Sequence, residues 1–252
     1  MPLTEVFPNP TVKQVIFQIT FPNLFYLESK IGDIQLAIME RFPNSAVAYR
    51  RLVFGDLSPD TKPADLPKSE QGSTIWQFSS ERKDVNLHIT TSSLDMVSTS
   101  HKTYDLNGGG DKFRDIIEFV VGKFLKLVSI PMINRIGLRY VDECPLPKKD
   151  TVTLLNYYNS VLPVQRFPLE DAVEMVAKAT VSRKDHQLSY TEVLVKTADS
   201  HKLLLDFDGF ANNVRADMYL TILDQLHLTI SAEFERTIKE PVYEYMRLEK
   251  GK

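Results

Sequence analysis

Residues 133–142 form a strand-like run that carries two arginines on one side and apolar residues on the other. Alternate residues of an extended strand share a face, so Arg135, Gly137 and Arg139 point the same way. The opposite face carries Ile136, Leu138, Tyr140 and Asp142. Such a run predicts a strand with one face in the core, and its arginines require anionic neighbours.

Composition describes an ordinary globular protein. Of the 252 residues, 43% are hydrophobic and 25% are charged, and the formal charge is −3. This charge supplies no global field that would draw the protein onto nucleic acid or an anionic membrane. The chain lacks a signal-peptide pattern and any apolar run near the roughly 20 residues of a membrane span. We therefore expect a cytoplasmic protein without membrane contact.

Hydrophobic periodicity divides the chain into alternating strand and helix patterns. Alternation over residues 12–21 predicts a strand, and helical spacing predicts helices over residues 27–42, 113–127 and 216–239. A short helix is predicted over residues 151–160, and residues 58–72 are typical of an exposed loop. The remaining predicted strands are residues 74–79, 85–90, 94–99, 177–183, 188–196 and 201–210.

The order of these elements predicts an α+β fold made of two similar units. Each unit would contain a strand, a helix, an antiparallel meander and a long helix packed across the curved sheet. We place the units at residues 1–130 and 131–252, packed together as one globule. This order resembles helix-grip and TATA-binding-protein-like architectures, and such a sheet can enclose a cavity beneath its helix.

The two arginines have a functional and a structural interpretation. Guanidinium groups on both sides of Gly137 can receive a carboxylate or phosphate bidentately. In the structural interpretation, Asp206 and Asp208 lie on one face of a neighbouring strand and neutralise Arg135 and Arg139. The sequence leaves both interpretations open.

Several short motifs resemble a sporadically distributed family of uncharacterised prokaryotic proteins of about this length. They are the Pro2-Leu3-Thr4-Glu5-Val6 opening, the Arg135–Asp142 run, the Leu205-Asp206-Phe207-Asp208 strand, and the closing helix with Phe234-Glu235 and Ile238. The resemblance spans nearly the whole chain. This chain departs from it at Asp142, where family members often carry Asn, and at the inserted Phe7-Pro8-Asn9-Pro10.

The family resemblance implies candidate residues but no activity. The candidate ligand-binding residues are Arg135, Gly137, Arg139, Asp206, Asp208 and Glu235. A sporadic distribution implies a mobile or defence-associated locus. From the resemblance and the arginine strand, we expect a non-enzymatic binding or adaptor protein that engages an anionic ligand or a protein partner segment, without a cofactor.

An enzymatic alternative is centred on Asp206 and Asp208. Clustered carboxylates on a strand can hold Mg²⁺, as in a metal-dependent nuclease or nucleotidyl-processing enzyme. The Gly108-Gly109-Gly110 run lacks the lysine of a phosphate-binding loop, and the five histidines show no metal-pair spacing. Cys144 is the one cysteine, which excludes an internal disulfide, and no neighbouring base activates it as a nucleophile. We therefore expect neither a catalytic residue nor a metal.

Two further kinds of partner are left open. The basic pairs Arg50-Arg51, Arg82-Lys83, Lys148-Lys149 and Arg183-Lys184 are typical of solvated turns. If they converged with exposed faces of Trp76, Tyr157 or Tyr158, they could follow a nucleic-acid backbone. Homodimerisation through residues 3–6, the last helix or the aromatic tail at Tyr243 to Met246 is the other possibility.

Overall fold

The computed structural model describes residues 6–51, 72–105, 111–196 and 201–248. The first half begins with strand β1 and helix α1. An antiparallel meander and helix α2 follow. The bounds are β1 Val12–Thr20, α1 Leu27–Ile38, β2 Asn44–Arg51, β3 Gly72–Ser79, β4 Val85–Ile89, β5 Ser93–Ser98 and α2 Phe113–Leu127.

The second half begins with β6, the strand that carries the two arginines. A short helix and three longer strands follow, and the described part ends with two helices. The bounds are β6 Met132–Cys144, α3 Thr151–Tyr157, β7 Met175–Arg183, β8 His186–Lys196, β9 His201–Arg215, α4 Tyr219–Thr237 and α5 Glu240–Arg247.

Within the described residues, nine strands form one antiparallel sheet in the order β2-β3-β4-β5-β1-β6-β9-β8-β7. The first strands of the two halves, β1 and β6, lie side by side at its centre. β1 also pairs with β5, and β6 pairs with β9, so each central strand adjoins the last strand of its own half. The predicted mixed fold of helices and antiparallel strands is thus confirmed.

Among the described residues, helices cover one face of the sheet and leave the other uncovered. The covered face presents fully buried side chains such as Phe17, Leu138 and Phe207. Helix α4 lies against this face, because a Cβ built on Gly209 of β9 would stand 3.1 Å from Ile230 of α4. Arg135 and Arg139 lie on the opposite face, which we call the open face. One hydrophobic core contains residues from both halves of the chain.

Two elements differ from the sequence prediction. Strand β2 was not predicted, because residues 43–47 are all exposed and show no alternation that would mark a strand. Pairing with β3 extends this segment at the sheet edge. The predicted helix over residues 216–239 corresponds to α4 and ends at Thr237, because Ile238 leaves the helix to form a β-bridge with Tyr158. Helix α5 then begins with Pro241 in its first turn, where proline is well tolerated.

Some predicted features lie outside the described residues. They include most of the predicted exposed loop, the run of Gly108 to Gly110 and the first five residues. In the described part of the chain, no helix is long and apolar enough to cross a membrane.

Candidate functional site

The open face carries Arg135 at its centre, where three neighbouring strands meet. Its Nη2 donates to both carboxylate oxygens of Asp208 on β9, at 3.0 and 2.8 Å. Its Nη1 donates to Oε1 of Gln18 on β1 at 3.0 Å. The guanidinium carbon lies 4.7 Å from the ring centroid of Phe210. Arg135 therefore joins strands β1, β6 and β9 through polar contacts.

Gly137 lies directly beneath the Arg135 side chain. A Cβ at this position would stand 2.6 Å from Nη1 of Arg135, closer than two such atoms can approach. The missing side chain allows the guanidinium to lie flat across β6. Gly137 therefore serves the arginine's own packing, and the gap between the two arginines is filled by Arg135.

Arg139 makes a second, more exposed ion pair. Its Nε donates to Oδ1 of Asp206 at 2.7 Å, and its Nη2 donates to Oδ2 at 2.5 Å. The Arg139 side chain is 46% exposed and that of Arg135 is 27% exposed. The pair with Asp206 raises the pKa of Arg139. Both arginines thus have an aspartate partner, which is the arrangement of the structural interpretation.

Burial opposes the negative charge of Asp208. It raises the pKa of this carboxyl, and the charge of Arg135 only partly offsets the effect. An anion approaching Arg135 would have to displace Asp208. A metal ion approaching Asp206 or Asp208 would have to displace an arginine. Among the described residues, no group of three or more His, Cys, Asp or Glu side chains is placed to hold a metal ion.

Glu235 is separated from the other five candidate residues. It lies on α4, on the helix-covered side of the sheet, where its charge contributes to raising the pKa of Tyr243 on α5. The structure therefore brings together Arg135, Gly137, Arg139, Asp206 and Asp208, but not Glu235.

A cavity of about 160 Å³ lies on the covered side, between α4, the sheet and the N-terminal segment. Aromatic, aliphatic and polar residues line it. Aromatic and aliphatic side chains form much of its wall, including Phe7, Val12, Phe207, Ile230, Phe234 and Met246. The polar residues include Thr11, Tyr140, Asp142, His227 and Ser231. We call this space the α4 cavity.

Asp142 is the buried acid of the α4 cavity. Its side chain is 1% exposed, and Thr11 donates a hydrogen bond of 2.7 Å to Oδ1. Burial raises the pKa of Asp142 to about 7, although the hydrogen bond from Thr11 acts in the opposite direction. Glu192, also fully buried, differs because it accepts from Ser160 Oγ, the Val161 amide and the Tyr190 hydroxyl.

A chain of hydrogen bonds runs along the wall of the α4 cavity beside Asp142. The Tyr140 hydroxyl lies 3.0 Å from Nδ1 of His227, and Nε2 of His227 lies 3.0 Å from Asp105 Oδ1. The backbone amide of Tyr104 donates to the Tyr140 hydroxyl at 2.9 Å. The contact with His227 lowers the pKa of Asp105, whereas burial raises that of Tyr140. These contacts hold His227 and Tyr140 in fixed orientations.

The sequence contains one signal for this site, which is separate from the arginines of the same strand. Asp142 stood on the same strand face as Ile136, Leu138 and Tyr140, and an acid on an otherwise apolar face must be buried or serve a ligand. Spacing alone could not show that residues 6–12 would close one side of the α4 cavity.

The exposed aromatic faces that nucleic-acid binding would require are largely missing among the described residues. Trp76 is 8% exposed and Tyr158 is fully buried, so neither presents a ring face to a base. Lys83 and Lys184 lie in turns with positive φ angles of 57° and 38°. The side chains of Arg50 and Arg51 are not among those that the structure describes. The solvated-turn interpretation therefore remains for the described basic pairs.

The aromatic tail packs on its own chain. Met246 is 2% exposed, and its carbonyl accepts a hydrogen bond of 3.0 Å from the Asn9 amide. The ring of Tyr243 lies 6.2 Å from that of Phe7. The tail therefore holds the N-terminal segment beside the α4 cavity.

Cys144 is the last residue of β6 and is 4% exposed. Burial raises the pKa of its thiol, which disfavours the nucleophilic thiolate.

Comparison of the chain with protein families, curated proteins and solved structures found no match. The resemblance to a sporadically distributed prokaryotic family therefore stays a prediction.

Proposed function

We propose that this chain is a non-enzymatic binding protein and that the α4 cavity is its ligand site. The observation that carries the proposal is a mostly apolar cavity into which a few buried polar groups converge, the usual composition of small-molecule sites. A buried cavity of about 150 Å³ is known to accept benzene, so the α4 cavity suits a ligand of about one ring.

The proposed architecture consists of two similar units, residues 1–130 and 131–252, each with a helix packed across its part of the sheet. Each half follows the order strand, helix, antiparallel strands and helix. In each half the last strand pairs with the first. These features support the two-unit, helix-grip interpretation, in which the space beneath the long helix is the natural place for a ligand.

A cavity-filling substitution tests the proposed function. We expect benzyl alcohol, a neutral ligand of suitable size, to raise the melting temperature of the wild-type protein in a concentration-dependent way. Ser231→Phe places a ring in the cavity and should abolish this rise. Thr221→Phe is the matched control, because Thr221 is an exposed position of the same helix and does not line the cavity.

The outcome of this comparison is decisive for the site. A ligand effect that survives Ser231→Phe unchanged would place the binding elsewhere. A loss of the effect in both variants would show that the substitution perturbs α4 as a whole, and the assignment to the cavity would then fail.

The open face is a second candidate, for an anionic ligand or partner segment. The 46% exposure of Arg139 favours it, because part of this guanidinium still faces solvent beside its pair with Asp206. Loss of partner binding in Arg139→Gln, with a melting temperature close to that of the wild-type protein, would support it. The metal-dependent alternative lacks comparable support, because Asp206 and Asp208 both bind arginines.

A further inference from the structure

We propose that the ligand of the α4 cavity is a small primary amine on an apolar body of about one ring, whose ammonium group pairs with Asp142. This inference rests on the binding function proposed above and names the chemical class of the ligand.

Asp142 is a buried carboxylate without a cationic partner. Among the described residues, its one hydrogen bond comes from Thr11, and no lysine, arginine or histidine forms an ion pair with it. Buried carboxylates are normally paired or saturated with hydrogen bonds, as the three donors to Glu192 illustrate. Oδ2 of Asp142 is therefore available as an acceptor on the wall of the cavity.

The other titratable groups of the wall do not compete for this role. Both ring nitrogens of His227 are engaged, by Tyr140 and Asp105. Both ring nitrogens of His101 are engaged, by Ser98 and the Asp111 carbonyl. The Lys102 ammonium donates to the Thr99 carbonyl, and its residue is exposed. An anionic ligand would face the Asp142 carboxylate without a buried cation to receive it.

The aromatic lining suits an ammonium group next to an apolar body. Tyr140, Phe207 and Phe234 line the same cavity as Asp142, and the rings of Phe207 and Phe234 meet edge to face at 6.0 Å. Ring faces attract cations, and the attraction is stronger where water is excluded. The aliphatic side chains Val12, Ile230 and Met246 complete a wall that favours a nonpolar ligand body.

The test compares three ligands of nearly equal shape, which are benzylamine, benzyl alcohol and benzoate. We expect isothermal titration calorimetry on the wild-type protein at neutral pH to show benzylamine binding at least about tenfold more tightly than benzyl alcohol. Benzoate should bind more weakly than either. The preference for the amine should disappear in Asp142→Asn, which retains an oxygen to accept from Thr11.

Glu143→Gln is the matched control. It removes a negative charge one residue along β6, but its side chain lies on the opposite face, where it pairs with Lys13 and Lys202. The control should keep the amine preference of the wild-type protein.

A second measurement needs no variant and remains available if Asp142→Asn fails to fold. Carboxyl NMR of the wild-type protein should show the pKa of Asp142 falling when benzylamine binds and unchanged when benzyl alcohol binds.

The failures of the two proposals are distinguishable. Equal affinity for benzylamine and benzyl alcohol would overturn the amine assignment and leave the binding function standing. The absence of binding by all three ligands would overturn both. An amine preference that persists in Asp142→Asn would show that another group holds the ammonium.

Discussion

Asp142 is a buried carboxyl whose surroundings disfavour its negative charge. A carboxyl with a pKa near 7 in the folded protein titrates near 3.9 once the chain unfolds. The folded state thus holds its proton more strongly. The stability that this provides is fully present below the unfolded pKa and is lost as pH rises toward 7.

Asp142→Asn should remove this pH dependence. Between about pH 4 and 7, we expect the wild-type protein to lose roughly 2–4 kcal/mol of unfolding free energy relative to the variant. Above this range the difference between the two proteins should level off. Urea denaturation of both proteins across this range measures it. A difference that stays constant with pH would contradict the buried, poorly solvated carboxyl.

Gly137 offers a second prediction at the level of one residue. Gly137→Ala puts a methyl group against Arg135 and should destabilise the protein by about 1–3 kcal/mol, because the guanidinium must leave its partners. Gly122→Ala in α2 is the control, since open space surrounds that position and alanine favours helix by about 1 kcal/mol. Thermal denaturation should therefore show opposite shifts, and a neutral Gly137→Ala would contradict the close approach.

The two arginines of β6 pair with aspartates of β9, and the exposure of each arginine determines how much its pair stabilises the sheet. Arg139→Gln removes an exposed pair, which typically costs below about 1 kcal/mol. Arg135→Gln replaces the less exposed of the two arginines and removes its contacts to two strands, so the cost should reach about 1–3 kcal/mol. Urea denaturation measures both variants. Equal losses would show that the two ion pairs do not differ as their exposure indicates.

The secondary structure elements show where sequence patterns succeed and fail. Strands with one buried face, such as β1 and β4, alternate visibly and were predicted to within a few residues. β2 was missed because its exposed residues carry no alternation. Helix α4 ends at Thr237 and not at residue 239, although Ile238 continues the apolar stripe after the backbone has left the helix. Pro241 was the local signal for that break.

At the scale of the whole molecule, the sheet has two chemically different faces. The open face carries ion pairs in which the charges of arginine and aspartate neutralise each other. The sequence left this arrangement open as one of two interpretations. The covered face holds the α4 cavity, whose wall combines β6, β9, α4 and residues 6–12. Sequence periodicity assigned the residues of each strand to a face. It could not show that segments over 200 residues apart would enclose a space beside Asp142.

The most direct test of the α4 cavity as the ligand site is methyl NMR of the wild-type protein with benzyl alcohol or benzylamine. We predict saturable shifts and ligand contacts at Ile230 and Met246, which line the cavity, with unchanged signals from Val97 and Val141 on the open face. Shifts confined to the open face, or none with either ligand, would contradict the account.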